Sequence, residues 1–317
     1  MARLELRPIS VGDAPTVHGL IRAGEVHDRF PLVTSLVEVE EYFAEPHFDP
    51  AHDGRLALLD GEPVGWGRIW HVPSGEREER AYVSGTVHPH YRGEGVGTAI
   101  FEWQIERGTD ILRSHAGDLP RHLRTLEYDW VTDALDLYRR HGFVEVRWME
   151  ELLRGLEAIP EIDAPGGVGI VAWDRAFDEA ARTVKNRAFA DHWGSTPTDA
   201  ATWARWLEGH GTRLDLSFLA VIDVDVIGYC LNEYYPDDAE LLGRRDGWIG
   251  NLGVLREWRR RGVASALVVR SLRAFADAGF THSSIGVDSD NPTGAAGLYR
   301  ALGFEPRTRS ITFQRTV

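Results

Sequence analysis

The stretch Tyr91–Ile100, YRGEGVGTAI, places three glycines where the amphipathic pattern of a helix begins. The stretch Trp258–Leu267, WRRRGVASAL, repeats arginine, glycine and small residues in the same order, with Arg259 lying 167 residues after Arg92. Each stretch follows an apolar, β-branched run and precedes apolar residues at helical spacing. Each therefore predicts a strand, a glycine-rich turn and a helix.

The rest of the chain repeats on the same plan, which predicts two tandem copies of one α/β domain. Tyr138 and Tyr299 are 161 residues apart, close to the offset between the two glycine stretches. Between the halves, EAIPEIDAPGGVG has the proline and glycine content of a linker. We predict an N-terminal domain over residues 1–158 and a C-terminal domain over residues 166–317. The helices predicted by apolar spacing are Pro15–His27, Val96–Arg107, Ala134–Arg140, Glu179–Ala190, Val263–Ala278 and Gly294–Ala301.

Length, composition and charge narrow the class of protein. At roughly 100–200 residues per domain, 317 residues suit two domains, and 43% hydrophobic with 26% charged residues fits a soluble globular chain. A formal net charge of −14 argues against nonspecific nucleic-acid binding and is compatible with a cationic small substrate. The sequence has neither an apolar run of about 18 residues nor a secretory signal, so we expect a cytoplasmic protein without a membrane partner. Its one cysteine, Cys230, lies in an apolar stretch and is expected to be a buried hydrophobe rather than a nucleophile.

The two glycine stretches have the chemistry of a pyrophosphate-binding turn. A helix N-terminus offers free N–H groups and the positive end of the helix dipole, and glycine lets backbone approach a phosphate closely. A P-loop would need a lysine, but the single lysine of the chain is Lys185, and GEGVGTAI lacks the last glycine of a dinucleotide fingerprint. The pattern that remains is [RQ]xxGx[GA]. His88 and His90, in HPHY, have no further metal ligand nearby in sequence, so no metal site is expected.

With this pattern twice in a matching strand–turn–helix context, nearly the whole chain resembles the GNAT family, the Gcn5-related N-acetyltransferases. The resemblance implies two tandem acyl-CoA N-acyltransferase domains. Each would have a mixed sheet whose fourth and fifth strands splay apart, with acetyl-CoA as co-substrate in the gap. The residues it assigns to the cofactor are Thr86, Val87, Arg92, Gly93, Gly95, Val96, Gly97 and Tyr138 in the first copy, and Leu252, Gly253, Val254, Arg259, Arg260, Arg261, Gly262, Val263, Ala264 and Asn291 in the second.

A second family signature is similar to NPTGAAGLYRALGF in the C-terminal copy. The resemblance implies that Asn291 hydrogen-bonds the cofactor arm and that Tyr299 faces the departing sulfur. A phenol with a pKa of about 10 can protonate a leaving thiolate, although Tyr299 could instead only pack beneath its helix. In the first copy, Trp130 stands where the signature has asparagine, eight residues before Tyr138. We therefore expect the C-terminal copy to catalyse, while the N-terminal copy binds CoA and its catalytic role stays open.

The acceptor amine must also lose a proton. Glu233, at the end of a predicted strand in YCLNEYYP, is a candidate general base or a binder of the ammonium group. His192 in FADHWGSTP is a second candidate because imidazole titrates near neutrality, and Trp193 would line the same pocket. The alternatives are a solvated charge for Glu233 and a structural role for His192.

The function expected from these features is acetyl transfer from acetyl-CoA to a primary amine of a small molecule. Two alternatives are a non-catalytic CoA-binding sensor or assembly module, and an N-acetyltransferase that acts on a peptide or protein amine. The pairing of Tyr299 with Asn291 favours catalysis, because a protein that only binds CoA needs no general acid. We expect a monomer or homodimer; no motif encodes the acceptor.

Overall fold

The structure, a computed structural model, describes residues 3–45, 47–71, 77–290 and 294–317. The chain divides into two units. Unit 1 comprises Met1–Arg147 with Ser310–Val317, and unit 2 comprises Trp148–Arg309. Among the described residues, none of the helices has the length and apolar character needed to cross a bilayer.

The helices and strands alternate in a similar order in the two halves of the sequence. Those of the first half are β1 (Leu4–Pro8), α1 (Ala14–Asp28), α2 (Leu36–Phe43), α3 (Pro50–Asp53), β2 (Gly54–Leu59), β3 (Glu62–His71), β4 (Glu79–Val87), α4 (Val96–Ser114), β5 (Arg121–Tyr128), α5 (Thr132–Arg140) and β6 (Val144–Gly155). Those of the second half are β7 (Gly169–Ala172), α6 (Asp178–Ala188), α7 (Ala200–Glu208), β8 (Phe218–Ile222), β9 (Asp225–Glu233), α8 (Pro236–Leu242), β10 (Asp246–Val254), α9 (Val263–Asp277), β11 (His282–Asp288), α10 (Ala295–Ala301) and β12 (Glu305–Thr316).

Each unit contains a mixed sheet, as the sequence predicts. In unit 1 the strand order is β1-β2-β3-β4-β5-β12, and in unit 2 it is β6-β11-β10-β9-β8-β7. Neighbouring strands run antiparallel except for β4 with β5 and β10 with β11, which are parallel. The α/β fold class is therefore confirmed for both copies.

The last strand of each half completes the sheet of the other unit, which the sequence does not predict. Residues Met149–Gly155 of β6 pair with β11, and residues Ser310–Thr316 of β12 pair with β5. The bounds of the units are not those of the predicted domains 1–158 and 166–317, and residues 156–168 form neither helix nor strand. The alternation of side chains predicts that a segment is a strand but leaves its partner undetermined.

The parallel strands of each unit pair only at their beginnings. In unit 2, Asp246–Ile249 pair with His282–Ile285, and β10 then continues to Val254 apart from β11. In unit 1, β4 and β5 pair over the same number of residues, ending at Tyr82 with Arg124. Both units therefore have the expected splay between these two strands.

A β-bulge distinguishes the central strand of unit 2 from that of unit 1. Along β10 the register with β9 shifts between Ile249 and Asn251, which leaves Gly250 as the extra residue. The equivalent pairing of β3 with β4 runs without a shift. A bulge bends its strand and redirects the backbone groups beside it, so the two clefts present different backbone at the splay.

The helix after each glycine stretch packs its apolar side on the sheet. In α9, Val263, Leu267, Leu272 and Phe275 are buried. Gly247 of β10 lies directly under Phe275 and leaves no room for a side chain. The helix α4 continues to Ser114, beyond the predicted end at Arg107, because apolar residues such as the buried Leu112 maintain the helical spacing.

Candidate active site

The glycine stretch of unit 2 forms a helix N-terminus with the geometry that suits an anion. Gly262 caps α9 with φ +91°, and no side chain caps the helix. The space that a Cβ at Gly262 would enter is open, and Arg260 beside it is also left-handed, with φ +59°. The N–H groups of the first helical turn therefore face open space, where a phosphate can accept hydrogen bonds from them.

The arginines of this stretch do not all face the same way. Arg259 donates from Nε to the Val254 carbonyl at 3.3 Å and from Nη2 to the Ala188 carbonyl at 2.6 Å, which ties the turn to β10 and α6. The guanidinium of Arg261 instead lies 4.9 Å from the centroid of the Trp258 ring. Arg259 thus shapes the turn and adds positive charge, while Arg261 packs on the surface.

A cavity of about 560 Å³ lies between the splayed ends of β10 and β11. The predicted site residues that line it are His192, Leu252, Gly253, Val254, Arg259, Arg260, Gly262, Ala264 and Tyr299. Arg261, Val263, Trp193 and Glu233 are not among the lining residues. Val263 packs in the core and offers only its backbone, and Asn291 lies outside the described residues.

Tyr299 lines this cavity from α10. Its side chain is 7% exposed on α10 and packs against Phe304, with ring centroids 6.1 Å apart. Its hydroxyl makes no hydrogen bond to a described residue. Burial raises the pKa of Tyr299 well above its ordinary value, so the phenol is neutral and keeps its proton.

Glu233 lies against the β-bulge. It is the last residue of β9, and a Cβ at Gly250 would come within 2.3 Å of its Oε1 atom. The carboxyl group therefore fills the space that the missing side chain of Gly250 leaves, and Gly250 itself lines the cavity. Burial raises the pKa of Glu233 above its ordinary value, which makes the carboxylate a stronger base than one in water.

His192 lines the cavity within reach of the charge of Arg259. Its ring centroid is 4.7 Å from that of Phe189. Burial lowers the pKa of His192, and the permanent charge of Arg259 lowers it further. The imidazole is therefore neutral, in the field of an arginine that belongs to the glycine stretch.

Unit 1 has an equivalent cleft with a cavity of about 890 Å³. Gly95 caps α4 with φ +85° and no side-chain cap, as Gly262 does in unit 2. The predicted residues that line the cavity are Thr86, Val87, Arg92, Gly93, Gly95, Gly97 and Tyr138. Val96 is not among them, because its side chain is buried in the core.

The electrostatics of the unit 1 cleft differ from those of unit 2. Arg92 donates to both carboxylate oxygens of Asp28, at 2.7 and 2.6 Å, whereas Arg259 donates to two backbone carbonyls of the described part of the chain. Burial raises the pKa of Glu127, which also lines the cavity, to about 7, and the negative charge of Asp28 contributes. Trp130, in place of the signature asparagine, donates to the Asp28 carbonyl at 2.9 Å. The positive charge of Arg92 is therefore already compensated by the carboxylate of Asp28.

Several residues of these sites were not predicted. Gly250 is one of them, and the sequence GWIGNLG carried its signal, because a glycine inside a strand often marks a bulge. Asn251 accepts a hydrogen bond from the buried Tyr229 hydroxyl beside the bulge, and nothing in the sequence pairs these two residues. Among the described residues, no cluster of three or more His, Cys, Asp or Glu could hold a metal ion.

Family profiles match both copies. The profile described as "Acetyltransferase (GNAT) family" matches residues 178–304, and that described as "Acetyltransferase (GNAT) domain" matches residues 52–145. The chain is 30% identical over 282 residues to a protein named mycothiol acetyltransferase from Salinispora arenicola (strain CNS-205), covering 86% of this chain and 84% of the relative. It is 31% identical to a protein of the same name from Nocardiopsis dassonvillei, covering 81% of each.

Solved structures agree with these matches. A GCN5-related N-acetyltransferase from Sphaerobacter thermophilus superposes with a TM-score of 0.76 at 26% identity, over 99% of this chain and 95% of that one. A tandem GNAT protein from the clavulanic acid biosynthesis pathway has the same fold, with a TM-score of 0.70 at 20% identity, over 99% of this chain and 98% of that one. The chain therefore belongs to the GNAT family of acetyltransferases, with two GNAT domains in tandem.

Proposed function

We propose that unit 2 transfers the acetyl group of acetyl-CoA to the primary amine of a small molecule. The family uses acyl-CoA, and the relatives named mycothiol acetyltransferase support an acetyl donor and a small acceptor. One observation carries the assignment to unit 2. Its cavity is lined by the Gly262 helix N-terminus, by Tyr299 and by Gly250, which Glu233 contacts.

The residues of this cavity suit the parts of the cofactor. The N–H groups after Gly262 would hold the pyrophosphate, with Arg260 adding positive charge. The backbone of Leu252–Val254, which has no pairing with β11 among the described residues, would hold the pantetheine arm. The open space at Gly262 supports this fit, since a side chain there would meet the phosphate.

Glu233 acts as the general base in this proposal. It accepts a proton from the ammonium group, which frees the nitrogen lone pair to attack the thioester carbonyl. The new C–N bond forms, the C–S bond breaks, and Tyr299 donates its proton to the departing thiolate. The proton that the nitrogen loses as it becomes an amide restores the Tyr299 phenol, and Glu233 releases its own proton to solvent. His192 is the less suitable base, because it lies beside Arg259 and the anion-binding turn.

We assign no turnover to unit 1. Its glycine N-terminus and cavity support CoA binding by Arg92, Gly93, Gly95 and the backbone of Thr86 and Val87. However, its strand β4 pairs with β3 without a register shift among the described residues, and the charge of Arg92 is compensated by Asp28. A cleft without the bulge has no counterpart of the contact between Gly250 and Glu233.

The test is release of free CoA from acetyl-CoA with a panel of amines, with the product identified by mass. Because the relatives are named for mycothiol, the amine precursor of that compound is the first acceptor, followed by an aminoglycoside, a polyamine and a basic peptide. Turnover with one small amine supports the proposal. Turnover with the peptide alone would overturn the small-molecule assignment, and tight binding without turnover on any amine would favour the sensor alternative.

A further inference from the structure

Tyr235 lies two residues after Glu233 and contacts its carboxyl group. The Tyr235 hydroxyl donates a hydrogen bond to Oε2 of Glu233 at 3.1 Å. The other oxygen, Oε1, is the atom nearest to the Cβ position of Gly250, and it accepts no hydrogen bond from a described residue. The two oxygens of one carboxylate therefore have different surroundings.

From this geometry we propose that Tyr235, supported by His210, is a positioning residue that holds Oε2 of Glu233, so that the free Oε1 faces the bulge and accepts the proton of the substrate. This inference rests on the proposed role of Glu233 as the general base. Tyr235 is not among the residues that line the cavity, so in this role it acts through Glu233. Its role is to fix which oxygen is available and to keep the carboxylate ionised.

The ring of Tyr235 is held firmly enough for this role. A Cβ at Gly211 would lie 2.5 Å from Cε1 of the ring, so the backbone of Gly211 lies directly against it. The Gly211 carbonyl accepts a hydrogen bond from the Tyr234 N–H at 2.8 Å, which fixes the loop beside the strand end. The His210 ring meets the Tyr235 ring edge-on, with centroids 5.5 Å apart.

Tyr235 and His210 also favour the charged form of Glu233. Burial raises the pKa of Glu233, while the hydrogen bond from Tyr235 and then the charge of His210 lower it. Three cationic side chains of unit 2 have other partners. Lys185 of α6 donates to the Thr196 carbonyl and the Thr198 hydroxyl. Ion pairs join Arg213 to Asp215 and Arg244 to Asp246.

The experiment compares the pH dependence of kcat/KM in the full chain and in Tyr235→Phe. The phenylalanine keeps the ring against Gly211 and removes only the donor. Without that donor the carboxylate is less stable, so we expect the acidic limb of the profile to move upward by about half a pH unit or more. We also expect kcat to fall by about tenfold, with KM for the acyl-CoA within about twofold of the parent value. His210→Asn should move the limb in the same direction by less, since His210 is exposed.

Tyr234→Phe is the matched control. It makes the same chemical change one residue earlier, where the ring packs against Phe280 at 4.8 Å instead of contacting Glu233. We expect it to leave the pH profile unchanged. A Tyr235→Phe profile that coincides with that of Tyr234→Phe would overturn the inference, as would lower activity without a shift of the acidic limb.

Glu233→Gln separates failure of this inference from failure of the proposed function. If Glu233→Gln retains full activity, the assignment of the general base is wrong, and the inference falls with it. If Glu233→Gln loses activity while Tyr235→Phe keeps the parent profile, only the positioning role is wrong. A thermal melt of each variant shows whether lost activity comes from lost fold.

Discussion

Replacing Gly250 with alanine tests the contact that distinguishes the unit 2 cleft. The new Cβ would lie 2.3 Å from Oε1 and 2.5 Å from Cδ of Glu233. Carbon and oxygen atoms pack at about 3.5 Å, so the carboxyl group must move by about 1 Å. Because these atoms form the end of a flexible side chain, the fold can adapt, at a cost of about 1 kcal/mol in the free energy of unfolding.

The effect on catalysis should be much larger than the effect on stability. A misplacement of about 1 Å in a reacting group can cost about 100-fold in rate. We therefore expect kcat/KM of Gly250→Ala to fall about 100-fold in the CoA-release assay, with denaturant unfolding almost unchanged. Gly19→Ala, in α1 of unit 1, is the control, because no atom lies within 4 Å of its new Cβ.

A double mutant shows whether the loss acts through Glu233. If Gly250→Ala works only by moving that carboxyl group, adding it to Glu233→Gln should cost nothing further. Multiplicative losses in the double mutant would refute the reasoning. So would a Gly250→Ala enzyme whose kcat/KM lies within about twofold of the parent.

Three further predictions concern the anion-binding turn, the cavity of unit 1 and the pH profile of the parent enzyme. Gly262→Ala places an L-residue at φ +91°, a backbone conformation that costs about 1–2 kcal/mol, so the turn should shift. We expect KM for the acyl-CoA to rise by about tenfold. An unchanged KM in steady-state kinetics would remove this turn from cofactor binding. Glu127 has a pKa of about 7 in the folded chain against an ordinary 4.5, so folding stability is lost as pH rises between these values. The free energy of unfolding of Glu127→Gln, measured relative to the parent, should therefore be higher at pH 8 than at pH 4 by up to about 3 kcal/mol. The same difference between variant and parent at both pH values in denaturant titrations would contradict this. The raised pKa of Glu233 predicts that kcat/KM of the parent rises with pH through a limb above the ordinary range of glutamate; a limb at or below that range would exclude Glu233 as the base.

The parts of the fold that depend on local sequence were predictable. Gly95 and Gly262 were expected to begin helices at a turn that only glycine adopts easily, and both have positive φ there. The helix α9 was expected over Val263–Ala278 and runs over Val263–Asp277. Local signals succeed here because a helix start and its apolar spacing are both encoded within a few residues.

Features that join distant residues were not predictable. The exchange of β6 and β12 depends on pairing partners more than 100 residues apart in sequence, such as Leu152 with Ile285. The ion pair of Arg92 with Asp28 joins residues 64 positions apart and changes the charge of the unit 1 cleft. The expectation that Glu233 faces the acceptor was reached from its strand position, but its contact with Gly250 needed the bulge, which is a property of the pairing of β9 with β10.

The most direct measurement is acetyl transfer by Tyr299→Phe and Tyr138→Phe, assayed in parallel with the amine that the parent enzyme accepts. Tyr299 lines the unit 2 cavity, where its hydroxyl bonds to none of the described residues, and Tyr138 lines the cavity of unit 1. We predict that Tyr299→Phe lowers kcat at least tenfold with acetyl-CoA affinity nearly intact, as expected for loss of a general acid, and that Tyr138→Phe keeps the parent kcat. Loss of turnover in Tyr138→Phe alone would contradict the assignment of catalysis to unit 2.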